Sequence, residues 1–274
     1  MKLLAKLALF AVALLLLAIV ALDIWGYATL GTLTPASGEP RDNNANRVVL
    51  VSGATGSVGD GLLKAAMEDP EVEKIYALSR RSSPRIEDGV KSGRVELLLH
   101  QDFTDYSDLA GVLAQVNTVL WGLGTSSLNV DDDTFTWIHV DFPVAFVNEW
   151  LSARTEGPMS FHYVTGMGTD ANGDAHWARE KGRAEIEVAA MAEGTGLRTF
   201  GYRSAFIKPA SDRTNMGHDL LAAVLRPGLL VIDSEDLGGA MFEISARTGE
   251  LANGTLIDNA DSIAYGKAYR AQQD

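Results

Sequence analysis

Val48-Val49-Leu50-Val51-Ser52-Gly53-Ala54-Thr55-Gly56-Ser57-Val58-Gly59 carries the strongest chemical signal in the chain. A β-branched apolar run enters three glycines spaced G-x-x-G-x-x-G, and helical spacing follows. Glycines in that setting permit a tight turn, close backbone approach to a pyrophosphate, and close contact between helix and strand. The helix start adds free N–H groups and the positive end of a dipole. Gly53, Thr55, Gly56, Ser57, Val58 and Gly59 are therefore the expected phosphate cradle. A glycine turn in a non-binding α/β protein is the plain alternative. The strand before and the helix after are the context that a dinucleotide loop requires.

The next strand should end where the adenosine ribose is read. An acidic residue there would hold the 2′-hydroxyl and select NAD. The chain instead has Ala77-Leu78-Ser79-Arg80-Arg81, with Arg85 nearby. Guanidinium groups fork onto a 2′-phosphate, so Arg80 and Arg81 favour NADP over NAD. A solvated basic loop is the competing reading.

Other chemistries find little support. The chain has no cysteine, which excludes a disulfide framework, a thiol nucleophile and cysteine-ligated metal. His100, His139, His162, His176 and His218 show no metal-ligand spacing, and no metal site is expected. Asp131-Asp132-Asp133 reads as a helix-capping acidic run before Thr134 rather than a cation site. Trp121, Trp137, Trp150 and Trp177 read as core or cleft walls. No Ser–His–Asp order or carboxylate pair stands out.

These residues must be held by alternating elements. Val48–Ser52, Lys74–Ser79, Val95–His100, Thr118–Trp121, Phe161–Thr165 and Thr199–Arg203 are expected strands. Helices are expected over Gly59–Met67, Asp105–Leu113, Thr134–Ser152 and Ala175–Ala192. Such alternation predicts an α/β fold, a doubly wound Rossmann-type parallel sheet with helices on both faces.

The chain of 274 residues divides into an anchor over 1–30, a flexible linker over 31–46 and a domain over 47–274. Leu7 to Leu22 is an unbroken apolar run after Lys2 and Lys6. Begun at Leu3, it spans about 30 Å as a helix, the thickness of a bilayer's hydrocarbon core. Trp25 and Tyr27 fall at the interface. One N-terminal transmembrane helix is expected; a cleaved signal peptide ending near Gly26-Tyr27-Ala28 is the alternative. Gly, Pro, Ser and Asn without apolar periodicity make Gly31–Asn46 a tether. Net charge is −13, and residues 1–46 balance three cations against three anions, so the acidity belongs to the domain. An acidic chain repels phosphate backbones, so no nucleic-acid partner is expected. Lys2 and Lys6 would place the domain outside, whereas a nicotinamide-binding domain belongs on the cytosolic face, the orientation adopted here.

GATGSVG, the LSRR strand end and Asp102-Phe103 resemble the atypical short-chain dehydrogenase/reductase superfamily. Leu123-Gly124-Thr125, Lys181-Gly182 with Glu185, and the closing NGTLIDNADSIAYGKAY are similar to its Tat-interactive oxidoreductase-like subgroup of NAD(P)H-binding proteins. The resemblance runs from about Arg47 to Tyr269. It implies that Asp102 and Phe103 flank the adenine, that Gly124 packs against the nicotinamide half, and that Lys181 holds ribose.

The resemblance also exposes a departure. Reductases of this superfamily use a tyrosine four residues before the lysine as proton donor. Here that position is Trp177, whose indole neither gives nor takes a proton near neutral pH. Thr165 replaces one of the usual serine hydroxyls and Gly166 lacks the other, so the catalytic candidates reduce to Lys181 and Thr165. His176 could supply the missing proton, or be an ordinary helix-start histidine. Three functions follow. The first is a membrane-tethered NADPH-dependent oxidoreductase acting on a small-molecule or quinone-like acceptor. The second is a non-catalytic NADP(H)-binding sensor or scaffold, its protein partner unknown. The third is a degenerate fold kept as an interaction surface.

Overall fold

Val49, Leu50 and Val51 are fully buried, so their strand needs apolar side chains on both faces rather than an alternation. In the computed structural model, which describes residues 2–273, that strand lies mid-sheet. Met1 and Asp274, the outer limits of the expected anchor and domain, lie outside the described residues. In chain order the elements are α1 (Lys2–Thr29), β1 (Val48–Ser52), α2 (Ser57–Glu68), β2 (Lys74–Ser79), α3 (Pro84–Lys91), β3 (Val95–Leu99), α4 (Ala110–Leu113), β4 (Thr118–Trp121), α5 (Asp132–Thr136), α6 (Phe142–Ala153), β5 (Met159–Val164), α7 (His176–Ala192), β6 (Leu197–Arg203), β7 (Phe206–Lys208), α8 (Met216–Leu225), β8 (Val231–Asp233), α9 (Ser234–Ala246), β9 (Thr255–Asp258) and α10 (Asn259–Gln273).

Seven strands pair in parallel in the order β3-β2-β1-β4-β5-β6-β9, while β7 and β8 form a separate two-stranded ribbon. The strand order reverses between β1 and β4, which opens a crevice at their C-terminal ends. Two cores flank the sheet. One gathers Leu62, Leu63 and Ala66 of α2 with Leu237, Met241 and Phe242 of α9. The other gathers Phe146, Val147 and Trp150 of α6 with Ala184 and Val188 of α7. This is the doubly wound Rossmann-type architecture expected from the alternation.

The expected helix Thr134–Ser152 changes character midway. Between α5 and α6, residues Trp137–Asp141 form a π-helical turn. Pro143 has no N–H to give to the carbonyl of His139 four residues earlier, and the Tyr163 hydroxyl donates to that oxygen instead, at 2.7 Å. The expected strand ends at Val95–His100 and Phe161–Thr165 shift by a residue or two.

α1 is apolar and exposed, and its Ala5–Thr29 stretch is long and apolar enough to cross a membrane. The Gly31–Asn46 segment, expected to be a flexible tether, is instead laid against the domain. Gly31 N donates to Asp258 at 2.7 Å, Leu33 N to Asp261 at 2.8 Å, and Asp42 N to the Ala246 carbonyl at 2.8 Å. Asn46 is fully buried and donates to the Phe242 carbonyl at 2.9 Å. Gly, Pro and Asn report only the lack of a regular element; the backbone's partners come from distant residues that composition does not reveal. Arg41 clamps this strap by pairing with Glu243, a fully buried carboxylate that Arg247 also holds at 2.6 Å. Arg41→Ala should lower unfolding stability by about 2 kcal/mol in a urea titration, less than a wholly orphaned buried charge would cost because Arg247 remains.

Candidate dinucleotide site

The turn after β1 is built from backbone contacts that only glycine allows. Gly53 has φ +71°, and a Cβ there would lie 2.6 Å from the Gly122 carbonyl carbon, in the loop after β4. A Cβ on Gly59 would lie 2.2 Å from the Gly53 carbonyl oxygen. The two glycines thus press the first turn of α2 onto the end of β1. Gly56 caps α2 with extended backbone, and Ser57, Val58 and Gly59 are the first three helical residues, whose N–H groups have no carbonyl one turn behind. Gly53, Thr55 and Gly56 line a cleft of about 520 Å³ together with Arg80, Arg81, Phe103 and Gly124, among others; Ser57, Val58 and Gly59 are not in its wall.

Arg80 and Arg81 stand exposed at the end of β2, and among the described residues neither guanidinium is ion-paired. Arg85 does not join them. It pairs with buried Asp60 at 2.9 Å and with Asp212 at 2.7 Å. Asp60 also takes Arg213 at 2.9 Å. The local positive charge available to a ligand is therefore that of two arginines, not three.

Phe103 is buried in the cleft wall, its ring stacked on Phe142 at 5.3 Å between centroids. Asp102 is not among the lining residues. Its carboxylate accepts from the N–H of Thr104 at 3.0 Å and from the Thr104 hydroxyl, contacts that hold it below the ordinary carboxylate range. Asp102 thus shapes the turn that presents Phe103.

Gly124 rests on a residue that sequence reasoning passed over. A Cβ on Gly124 would meet His139 Cε1 at 2.7 Å, and His139 Nε2 lies 2.9 Å from the Thr125 carbonyl oxygen. The π-helical turn aims this ring at the loop after β4. Burial, and next the Lys181 charge, push His139 down to about 4, so it is neutral at neutral pH. Pro143 inside an otherwise helical run was the available signal, since it forces a local departure from the i→i−4 ladder.

Trp177, Lys181 and Glu185 follow each other at four-residue intervals along one face of α7. The Lys181 ammonium donates to the Thr165 carbonyl, and burial, opposed by the Glu185 charge, pushes it down to about 8. The Thr165 hydroxyl is buried and donates to Glu185 at 2.7 Å, while Arg203 holds the other Glu185 oxygen at 2.7 Å. Thr165 is committed to the interior rather than to a reacting group. Gly168, with φ +87°, lies under Trp177: a Cβ there would sit 3.3 Å from the indole. His176 lies 3.2 Å from the Thr136 hydroxyl. Asp131 caps α5, accepting from Thr134 N at 2.8 Å. Trp121 and Trp150 are core residues, and half-exposed Trp137 lines an adjoining cleft with Phe103 and Gly124.

No family model matches the chain. It is 26% identical over 135 residues to leucinostatins biosynthesis cluster protein T of Purpureocillium lilacinum, covering 49% of this chain and 48% of that protein. It is 28% identical over 144 residues to the mitochondrial protein FMP52 of Eremothecium gossypii, covering 52% of this chain and 59% of that protein. The chain thus spans about half the length of the curated relatives it matches. Among solved structures it superposes on a 3-oxoacyl-[acyl-carrier protein] reductase from Brucella melitensis in complex with NAD. The TM-score is 0.57 and the identity 16%, over 80% of this chain and 97% of that one. The fold is that of the short-chain dehydrogenases and reductases.

Proposed function

We propose that the chain is a membrane-tethered, NADP(H)-dependent oxidoreductase that passes hydride to a small-molecule or quinone-like acceptor without a tyrosine proton donor. The observation behind this reading is that Gly53, Thr55 and Gly56, at the entry to α2, share one cleft with Arg80 and Arg81, which are not ion-paired among the described residues. The residues fit the group: Gly53 and Gly56 leave the backbone accessible, buried Gly59 lets α2 close onto β1, and Ser57 and Val58 add free N–H donors. Arg80 and Arg81 suit a 2′-phosphate, Phe103 an adenine face, and Lys181 the nicotinamide ribose. A bound nicotinamide cofactor supplies the hydride chemistry. The protein contributes binding, orientation and a wall of aromatic side chains.

Trp177 cannot protonate a carbonyl oxygen, so the fitting acceptor takes its proton from water, as an open quinone oxygen does. α1 would hold the domain beside lipid-soluble acceptors, with the cleft on the cytosolic side where nicotinamide dinucleotides are abundant. The Brucella reductase, of the same fold, carries NAD. A second reading, a non-catalytic NADP(H) sensor or scaffold, draws support from the Thr165 hydroxyl being spent on Glu185.

The test is a paired NADPH and NADH titration of the full chain, followed by an acceptor screen. NADPH should bind more tightly than NADH. Changing Arg80 and Arg81 to alanine should remove that preference, costing about 1.5–3 kcal/mol for each charged hydrogen bond lost, or tenfold or more in NADPH affinity. Equal affinity of the native protein for NADH would overturn the NADP assignment. Tight NADPH binding without oxidation by any quinone or carbonyl would replace the first reading with the second.

A further inference from the structure

Of the large apolar side chains exposed outside α1 among the described residues, four lie on the ten-residue helix α8. Met216 is 86% exposed, Leu220 68%, Leu221 45% and Val224 42%. At about 100° per residue they occupy roughly 140° of the helix circumference. The rest of the helix carries buried Ala222 and Asp219, which Lys208 holds at 2.8 Å. A continuous stripe of this kind marks a surface that another apolar phase covers.

Its place in the fold identifies that phase. α8 runs directly into a short 3-10 turn, Arg226–Gly228, and this turn packs on the end of α1. A Cβ on Gly26 would lie 2.3 Å from the Gly228 carbonyl oxygen, and one on Gly228 would lie 2.6 Å from Leu22 Cγ. Leu22 closes the apolar run, and exposed Trp25 and Tyr27 follow it. The C-terminal end of α8 is therefore fixed at the level where α1 leaves hydrocarbon. Tyr27 there shares a cleft of about 300 Å³ with Arg226, Lys267 and Arg270. Asp233 and Asp236 line the same cleft and pair with Arg226 and Arg270, which leaves Lys267 as its unpaired cation among the described residues.

We infer that α8 lies in the headgroup–acyl boundary of the bilayer that α1 crosses, its Met216, Leu220, Leu221 and Val224 stripe facing the acyl chains. This rests on the membrane-tethered reading above. A helix this short binds a membrane weakly alone, but α1 holds it there at high effective concentration. The arrangement also orients the cleft. β7 leads from β6 towards α8, and the Ser204 carbonyl between those strands accepts from Met167 N at 2.7 Å, in the loop beside Trp177 and Lys181. The domain would approach the bilayer with that end.

Because the chain has no cysteine, single cysteines can be labelled uniquely. The full chain is placed in phosphatidylcholine–phosphatidylglycerol vesicles whose acyl chains carry bromine, a contact quencher. Separate Leu14→Cys, Leu220→Cys and Val90→Cys variants bear an environment-sensitive fluorophore. Leu14 reports α1, and Val90 lies on α3 towards the opposite edge of the sheet. The probes at 14 and 220 should lose most of their emission, and the probe at 90 should keep it. Quenching at 14 but not at 220 would overturn the inference while leaving the anchor intact. Failure to quench at 14 would overturn the anchor itself, and the inference with it. Equal quenching at 90 and 220 would also overturn it, since the domain would then touch lipid without orientation.

Discussion

Gly59→Ala is expected to abolish dinucleotide binding by moving the turn itself, while Gly56→Ala leaves the turn in place. Both are glycines of one motif, so sequence alone ranks them equally. The contacts do not. A methyl group on Gly59 would sit 2.2 Å from the Gly53 carbonyl oxygen and 2.5 Å from its carbon, both backbone atoms with no rotamer to yield. Relief requires the first turn of α2 to move off β1, which carries the N–H groups of Ser57 and Val58 away from the cleft. Gly53 cannot absorb the shift, because its own left-handed backbone is wedged against Gly122. At Gly56 the nearest atom to an added Cβ is at 3.3 Å and the backbone is extended, with φ −87°, which any residue adopts. Losing two or three charge-assisted contacts to phosphate at about 1.5–3 kcal/mol each puts the Gly59→Ala effect beyond a hundredfold in NADPH affinity. Gly56→Ala should leave the unfolding transition unchanged, so any loss of NADPH affinity there comes from its methyl group meeting the phosphates in the cleft. Full NADPH affinity in both variants would mean that the phosphates are not held at this turn.

The parts of this architecture that were legible are those whose own residues state their role. β1, β2 and β4 fall where their apolar runs place them, because a buried parallel strand needs little beyond such a run. The glycine turn after β1 and the place of Arg80-Arg81 at the end of β2 were legible because spacing alone sets them. α9 was not: eleven of its thirteen residues are buried, so it has no polar face to generate a period. α3 is short and half charged, and its Ser83 cap and Pro84 start were its markers. The strap over 31–46 and the role of His139 depend on partners far away in sequence. Phe103 lines the cleft from a turn that Asp102 holds through Thr104, an arrangement that adjacent residue types alone do not state.

Trp177→Tyr should raise NADPH-dependent reduction of small carbonyl compounds about a hundredfold or more over the native chain. A helix sets residues four apart on one face, so a phenol at 177 would stand one turn from the Lys181 ammonium. Burial pushes Lys181 down to about 8, which leaves it mostly charged at pH 7, and a cation at that distance lowers a phenol's pKa towards the working range. Proton donation by a positioned group contributes about a hundredfold or more to such a step. The pH dependence has a fixed sign: reduction needs the protonated phenol, so the new activity should fall as pH rises, and fall further once Lys181 loses its proton above about 8. Lys181→Met in the same background should remove the gain. Thr165 would not rescue it, since its hydroxyl already donates to Glu185 at 2.7 Å. Buried Tyr163 cannot stand in for a phenol at 177, because its hydroxyl donates to the His139 carbonyl and burial holds its pKa far above the ordinary value. A variant that binds NADPH as tightly as the native chain yet reduces no carbonyl would show that position 177 does not face the reacting carbon. Trp177 would then be a wall over Gly168 rather than the residue standing where a proton donor is needed.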